Sequence, residues 1–377
     1  MFLKSIQYLE HEGLPTYWRV KKFNLNPISL FVAKNATGKT RTLSITSALI
    51  KLISGSSKDL LNGTWEAEIK DDNDLYCYKL KITDQFIDYE YLTLNDRPLI
   101  TRKRGQTSEV FYTKLDRVVE TFLPEDVLAI SRRDKIQHPY LEKLSNWATN
   151  SYNFNFSSSM GREQAVIFIE GNDKKAQPLA EASLGAVLKK SHELFKTEFD
   201  SLLVRDMKQI GYEIESVELT ELVGVNQNNQ SAVTNVIAVK EKDLQCATIQ
   251  HCTSNGMFRA LSLLMKINYL FLMKETSTIT IDDIGEGLDF DRSSALIKLI
   301  IDKATDNNFQ LIMSTNDRFV MNEVKLEYWN IISRNGHECD VINYENSPKL
   351  FENFKFTGLN NFDFLKTEFY KNKDFYH

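Results

Sequence analysis

Cysteine is scarce in this chain. The four present (Cys77, Cys246, Cys252 and Cys339) are scattered, with no CxxC pair and no metal-ligand spacing. That excludes a disulfide framework and makes a reducing, cytoplasmic compartment the expectation. Glycine and proline are also few, 15 and 7, and low-complexity tracts are absent, so flexible linkers are not expected. No run approaches the ~20 apolar residues of a membrane span. The most apolar stretch, "MFRALSLLMKINYLFLM", is broken by Arg259, Lys266 and Asn268 and reads as a buried core helix. The opening "MFLKSIQYLEHEG" meets a lysine and then acids before any long apolar run, unlike a signal peptide. Neither sign of charge dominates. The net charge is −5 with acids and bases interleaved, which argues against a broad basic face for nucleic acid while leaving a local patch open.

What is present is a chain of 377 residues with 42% apolar content, enough to bury a sizeable core in two or three structural units. Near its start stands "VAKNATGKT", Val32 to Thr40. It follows the β-prone run "ISLFV" and precedes "TRTLSITSALIKLIS", whose apolar residues Leu43, Ile45, Ala48, Leu49 and Leu52 recur at near-helical spacing. Strand, loop and helix in that order are the context of a phosphate-binding loop. Its chemistry needs successive backbone N–H groups, here from Asn35, Ala36, Thr37 and Gly38, with a helix N-terminus behind them. Lys39 would reach the β- and γ-phosphates of a nucleotide and Thr40 would offer its hydroxyl to Mg²⁺. Ala33 and Ala36 stand where glycine is usual. Ala36 sits in the tight part of the curl, where a left-handed alanine costs about 1–2 kcal/mol.

Such a loop needs acids opposite it. "STITIDDIGEGLDFDRS" supplies a β-prone run from Ser277 to Ile281 ending in Asp282 and Asp283. At the C-terminal end of a parallel strand these carboxylates would face the loop. Asp282 is the candidate Mg²⁺ ligand, directly or through water, and Asp283 the candidate to orient or deprotonate a water, with Glu286 the next carboxylate along. Most of the chain lies between Lys39 and Asp282, so a large insertion or a two-lobed architecture is expected.

Taken together these motifs resemble ABC-type ATPases. "AKNATGKT" is similar to their first motif, "IDDIGEGLD" to their second, "TSNGMFRALSLL" to their signature, and "FQLIMSTNDRF" to the strand and switch loop that usually carries histidine, with Asn316 in its place. The resemblance is to the non-transporter branch (OLD, RecF, SMC/Rad50). Within it, "SNGMFRALSL", "IDDIGEGLD" and "FKFTGLNNFDF" resemble ATPase subunits of bacterial two-gene anti-phage systems. It implies an α/β fold, an ABC-type head with an antiparallel β subdomain and an inserted α+β lobe; the amphipathic stretch "LGAVLKKSHELFKTEFDSLLVRDMKQI" lacks sustained heptads, so no long coiled coil is expected. It implies ATP and Mg²⁺ as cofactors and a homodimer in which Ser254 and Gly256 of one copy close over the γ-phosphate of the other. It also implies a separately encoded effector, a toxin or nuclease, as partner. A RecF-like DNA repair ATPase and a nucleotide-gated scaffold are the alternatives. Asp283, where the family has glutamate, and Asn316 suggest slow hydrolysis.

The organisation expected is a nucleotide-binding lobe over 1–139, an inserted helical and β lobe over 140–245, and a segment 246–377 with the signature helix, acidic strand, switch loop and terminal strands. The first lobe includes persistent alternation between 63 and 114 ("TWEAEIKDD", "SEVFYTKL"), read as antiparallel strands. "VLAISRRDKIQHPYLEKL" resembles the family's Q-loop region. Gln137 is then the candidate to sense Mg²⁺ or the γ-phosphate, against a plain surface loop before a helix. The cluster Arg132, Arg133 and Lys135 reads as a contact to phosphate or nucleic acid or, for so short a run, as a solvated turn. Tyr17 or Trp18 stacks on a base or fills the sheet core.

Overall fold

The computed structural model describes residues 1–57, 59–132, 134–156, 183–225, 231–307 and 309–372. Arg133 and most of the polar "GVNQNNQS" stretch lie outside the described residues. In chain order the elements are β1 (Phe2–Glu10), β2 (Trp18–Asn24), β3 (Ile28–Val32), α1 (Lys39–Ser54), β4 (Gly63–Asp71), β5 (Asp74–Thr83), β6 (Phe86–Leu94), β7 (Arg97–Lys103), β8 (Ser108–Tyr112), β9 (Arg117–Thr121), α2 (Pro139–Thr149) and β10 (Tyr152–Asn155). They continue with α3 (Leu184–Phe195), α4 (Thr197–Gln209), β11 (Ile214–Val225), β12 (Ser231–Glu241), β13 (Thr248–Ile249), α5 (Asn255–Met273), β14 (Ser277–Asp282), α6 (Phe290–Thr305) and β15 (Phe309–Ser314). The last are α7 (Arg318–Glu323), β16 (Trp329–Asn335), β17 (Glu338–Asn343), α8 (Pro348–Lys355) and α9 (Asn361–Lys366).

One hydrogen-bonded ladder runs β10-β14-β15-β3-β16-β17-β2-β1-β4-β5-β6-β7-β8-β9. Its β10 end is parallel from β10 through β14, β15 and β3 to β16. From β1 to β9 every pairing is antiparallel. Strands covered on both faces read as unbroken apolar runs, and β3, β14 and β15 are buried along their whole length. Alternation within β3 sends Leu30 and Val32 into one hydrophobic cluster and Phe31 into the other. The Phe31 side holds α1, α2 and the inner face of β4 to β8. The Leu30 side holds α3 to α9.

The segment from 140 to 245 is divided between these parts. Its first strand, β10, pairs with β14 at the edge of the main sheet, whereas β11 and β12 form a separate three-stranded sheet with β13. The longest helix among the described residues is the 19-residue α5. It is long and apolar enough to cross a membrane, but here most of it is packed in the core, as the interruptions at Lys266 and Asn268 suggest.

Candidate functional site

The C-terminal ends of β3, β14 and β15 meet at one edge of the sheet, the edge at which open α/β sheets bind ligands. A cleft of about 760 Å³ opens there. Asn35, Ala36, Gly38, Lys39, Thr40, Asp283 and Asn316 line it, so the loop, the acidic strand and the switch segment converge as expected.

The loop's carbonyls explain its form. Lys39 Nζ donates to Ala33 O at 3.0 Å, Thr37 Oγ1 to Lys34 O at 2.8 Å and Arg334 Nη1 to Ala36 O at 3.1 Å. Cys339 Sγ donates to Thr37 O at 3.6 Å, and the Thr42 N–H to Gly38 O at 2.9 Å. With those oxygens engaged elsewhere, the N–H groups of Ala36, Thr37 and Gly38 have no acceptor among the described residues. That is the arrangement an anion completes. Ala36 adopts a left-handed φ of 63° and Gly38 a φ of 107° at the N-cap of α1. The curl is therefore made even though alanine replaces a usual glycine, and its strain sits where an anion would bind. Lys39 is buried, and burial pulls its ammonium below the usual lysine range against the opposing pull of Asp283 and Asp282.

Across the cleft, Ser314 at the end of β15 holds both acids. Its hydroxyl donates to Asp282 Oδ1 and accepts the Asp283 N–H at 3.0 Å. Asp283 itself has a left-handed φ of 55°. Asn316 Nδ2 donates to its Oδ1 at 3.1 Å. Burial, then the neighbouring Asp282 and Glu286, raise the Asp283 carboxyl above the ordinary aspartate range. Glu286 is exposed, with its N–H on Asp283 O at 3.2 Å. No cluster of three or more His, Cys, Asp or Glu able to hold a metal occurs among the described residues. The donor set nevertheless fits Mg²⁺, which commonly takes one or two protein ligands with substrate phosphates. Thr40 lines the cleft, and Asp282 is buried at the end of β14.

Ser254 and Gly256 do not line this cleft. Ser254 is the N-cap of α5, its Oγ accepting from the Met257 N–H at 3.3 Å, and it is exposed. A side chain at Gly256 would lie 2.9 Å from Gly287 O, so the helix start packs against the turn after the acidic strand.

Gln137 is not brought to the cleft either. "VLAIS" is not a strand. The buried carboxylate of Glu90 accepts the Ala129 and Ile130 N–H groups at 2.7 and 2.9 Å, holding residues 129–131 in a 3₁₀ turn. Gln137 follows just before α2, its carbonyl accepting from the Thr113 N–H at 3.0 Å. The strand that does reach the acidic edge is β10, where Asn155 stands in register with Asp282. Arg132 and Lys135 are exposed and also lie outside the cleft lining.

Other residues come to the site without a motif to announce them. Trp18 is 3% exposed and packs where a Cβ on Gly38 would lie, 2.9 Å from its ring, so it is a core aromatic under the loop. Arg41 and Arg334 lie over its rings at 4.1 and 4.7 Å. Tyr17 lines the cleft and packs against His337, with ring centroids 4.9 Å apart. Arg41 is the third residue of α1, two positions after Lys39. Arg334, His337 and Cys339 come from the β16–β17 hairpin and carry no local signal.

No protein-family model and no curated protein matches the chain. Among solved structures it is similar at 12% identity and a TM-score of 0.50 to the Smc head bound to the C-winged helix domain of ScpA, over 91% of this chain and 97% of that one. It is similar at 12% identity and 0.50, over 94% and 99%, to the Smc head domain with an extended coiled coil bound to the C-terminal domain of ScpA, derived from Pyrococcus furiosus. The SMC head domain from Thermotoga maritima aligns at 12% identity and 0.43, over 91% and 99%. The likeness is one of architecture: the chain is a mixed α/β protein with the fold of an SMC head domain.

Proposed function

We propose that the chain is an ABC-type head that binds ATP with Mg²⁺ in the Lys39 cleft, closes on a second copy around the nucleotide, and hydrolyses it slowly. The observation that carries this reading is the loop from Ala33 to Thr40, in which the carbonyls of Ala33, Lys34, Ala36, Thr37 and Gly38 are engaged, Lys39 rests on Ala33 O, and the N–H groups of Ala36, Thr37 and Gly38 have no acceptor among the described residues. On binding, Lys39 would exchange Ala33 O for oxygens of the β- and γ-phosphates. Thr40 and Asp282 would hold Mg²⁺, which supplies charge neutralisation at those phosphates. Asp283 accepts the proton of a water attacking the γ-phosphorus, and the leaving oxygen stays with ADP. Its raised basicity suits that role. Its side chain is one methylene shorter than glutamate and already engaged by Asn316, which supports a low rate.

Asp283→Asn is expected to lower phosphate release by at least about tenfold with ATP binding retained. The acid limb of kcat/KM is expected above the ordinary aspartate range. The base works only when deprotonated, and its pKa is raised, so activity falls as pH drops through that raised value. Full activity in Asp283→Asn would assign the water elsewhere, with Glu286 next.

The setting we favour is a sensor or regulatory subunit of a bacterial anti-phage system, acting on a separately encoded toxin or nuclease. It rests on the resemblance of "SNGMFRALSL", "IDDIGEGLD" and "FKFTGLNNFDF" to such subunits. Heads of this fold also occur bound to a separate protein, the ScpA domain. An adjacent small effector gene supports this setting, and a DNA-repair neighbourhood opposes it.

A further inference from the structure

We infer that Arg334 is a positioning residue that holds the phosphate loop in its anion-ready curl, in place of the glycine absent at position 36. The inference rests on the proposed nucleotide site and adds a part to it. Ala36 is held left-handed, a conformation an L-residue resists, so something outside the loop must favour it. Arg334 Nη1, from a residue that itself lines the cleft, donates to the Ala36 carbonyl at 3.1 Å and so keeps that oxygen engaged. The guanidinium is fixed by its own hairpin, because Nε donates to Gly336 O at 2.7 Å. It also lies over the Trp18 ring, and Trp18 is packed against Gly38. One side chain thus ties the terminal hairpin, the aromatic floor and the strained residue together. No carboxylate forms an ion pair with Arg334 among the described residues, and the side chain is exposed, so replacing it removes the brace without opening the core.

The competing role is a plain positive charge at the cleft wall, and two substitutions separate the roles. Lysine keeps the charge but cannot donate in the same forked way to Ala36 O and Gly336 O while covering Trp18. Ala36→Gly removes the strain that the brace opposes. ATP affinity is measured by calorimetry with Mg²⁺ on the full chain, for the unaltered protein, Arg334→Ala, Arg334→Lys, Ala36→Gly and Arg334→Ala with Ala36→Gly. Arg334→Ala is expected to weaken binding roughly 10- to 100-fold. Arg334→Lys should recover little of this, and Ala36→Gly should recover a substantial part in the Arg334→Ala background. Unchanged affinity in Arg334→Ala overturns the inference. So does lysine restoring affinity with no rescue by glycine, which leaves charge alone.

Urea unfolding of the unaltered protein, Arg334→Ala, Ala36→Gly and the double variant without nucleotide gives an independent reading. Coupling between positions 36 and 334 is expected, and strict additivity overturns the brace. Coupling in a protein that does not bind ATP would instead sink the proposed function and leave the brace standing.

Discussion

Lys39→Ala is expected to abolish measurable ATP binding, a loss of at least about 100-fold. Lys39 is the loop side chain placed between the loop and the two acids, and its ammonium is buried. At present it is held on Ala33 O, 3.0 Å away. Substitution removes the cation that would meet the β- and γ-phosphates and leaves Asp282 and Asp283 facing them uncompensated, so repulsion adds to the lost attraction. The fold should survive, because a desolvated charge is removed rather than created. Calorimetry with ATP and Mg²⁺, alongside circular dichroism, checks both halves. Unchanged affinity would end the nucleotide reading of this cleft.

The second large effect is expected at a distance from that cleft. Ser254→Arg should prevent ATP-dependent closure of two heads while a single head still binds nucleotide. Ser254 and Asn255 are exposed at the start of α5, and nothing from that segment lines the Lys39 cleft of its own chain. Gly256 is fixed against Gly287 O, so the helix start cannot swing across. A nucleotide contact made by Ser254 must therefore be made in another copy, with the exposed N-terminus of a 19-residue helix offering partial positive charge to the γ-phosphate. An arginine there would obstruct the approach. Light scattering of Asp283→Ala with and without ATP, compared with Ser254→Arg, Asp283→Ala, separates the cases. Crosslinking across the closing faces guards against a dimer held elsewhere. If the double variant closes as well as the single one, the composite site is wrong.

The parts of the site that were legible in sequence are those built from neighbours. "ISLFV", the loop and the apolar spacing after it gave strand, curl and helix because each depends on a few adjacent residues. The strain foreseen at Ala36 appears as a left-handed residue. The acid pair lies at the end of a strand because Ser277 to Ile281 are apolar or β-prone and buried. Of the two readings of Gln137, its position matches the plain loop before a helix, and the turn upstream at Ala129 depends on Glu90, about forty positions away and itself buried. "VLAIS" looked like a strand until a distant carboxylate took its N–H groups. The hairpin contribution was invisible for the same reason at greater range: the Arg334–Ala36 bond joins residues 298 positions apart. Such contacts are set by sheet order, with β16 lying beside β3, and no local pattern encodes that order.

The most direct measurement is a structure of Asp283→Ala crystallised with ATP and Mg²⁺. The expected result is the triphosphate seated on the N–H groups of Ala36 to Thr40, Lys39 between its β- and γ-phosphates, the metal on Thr40 and Asp282, and Ser254 of a second copy against the γ-phosphate. A triphosphate bound elsewhere, or an empty Lys39 cleft at saturating ATP, would contradict the assignment of this site.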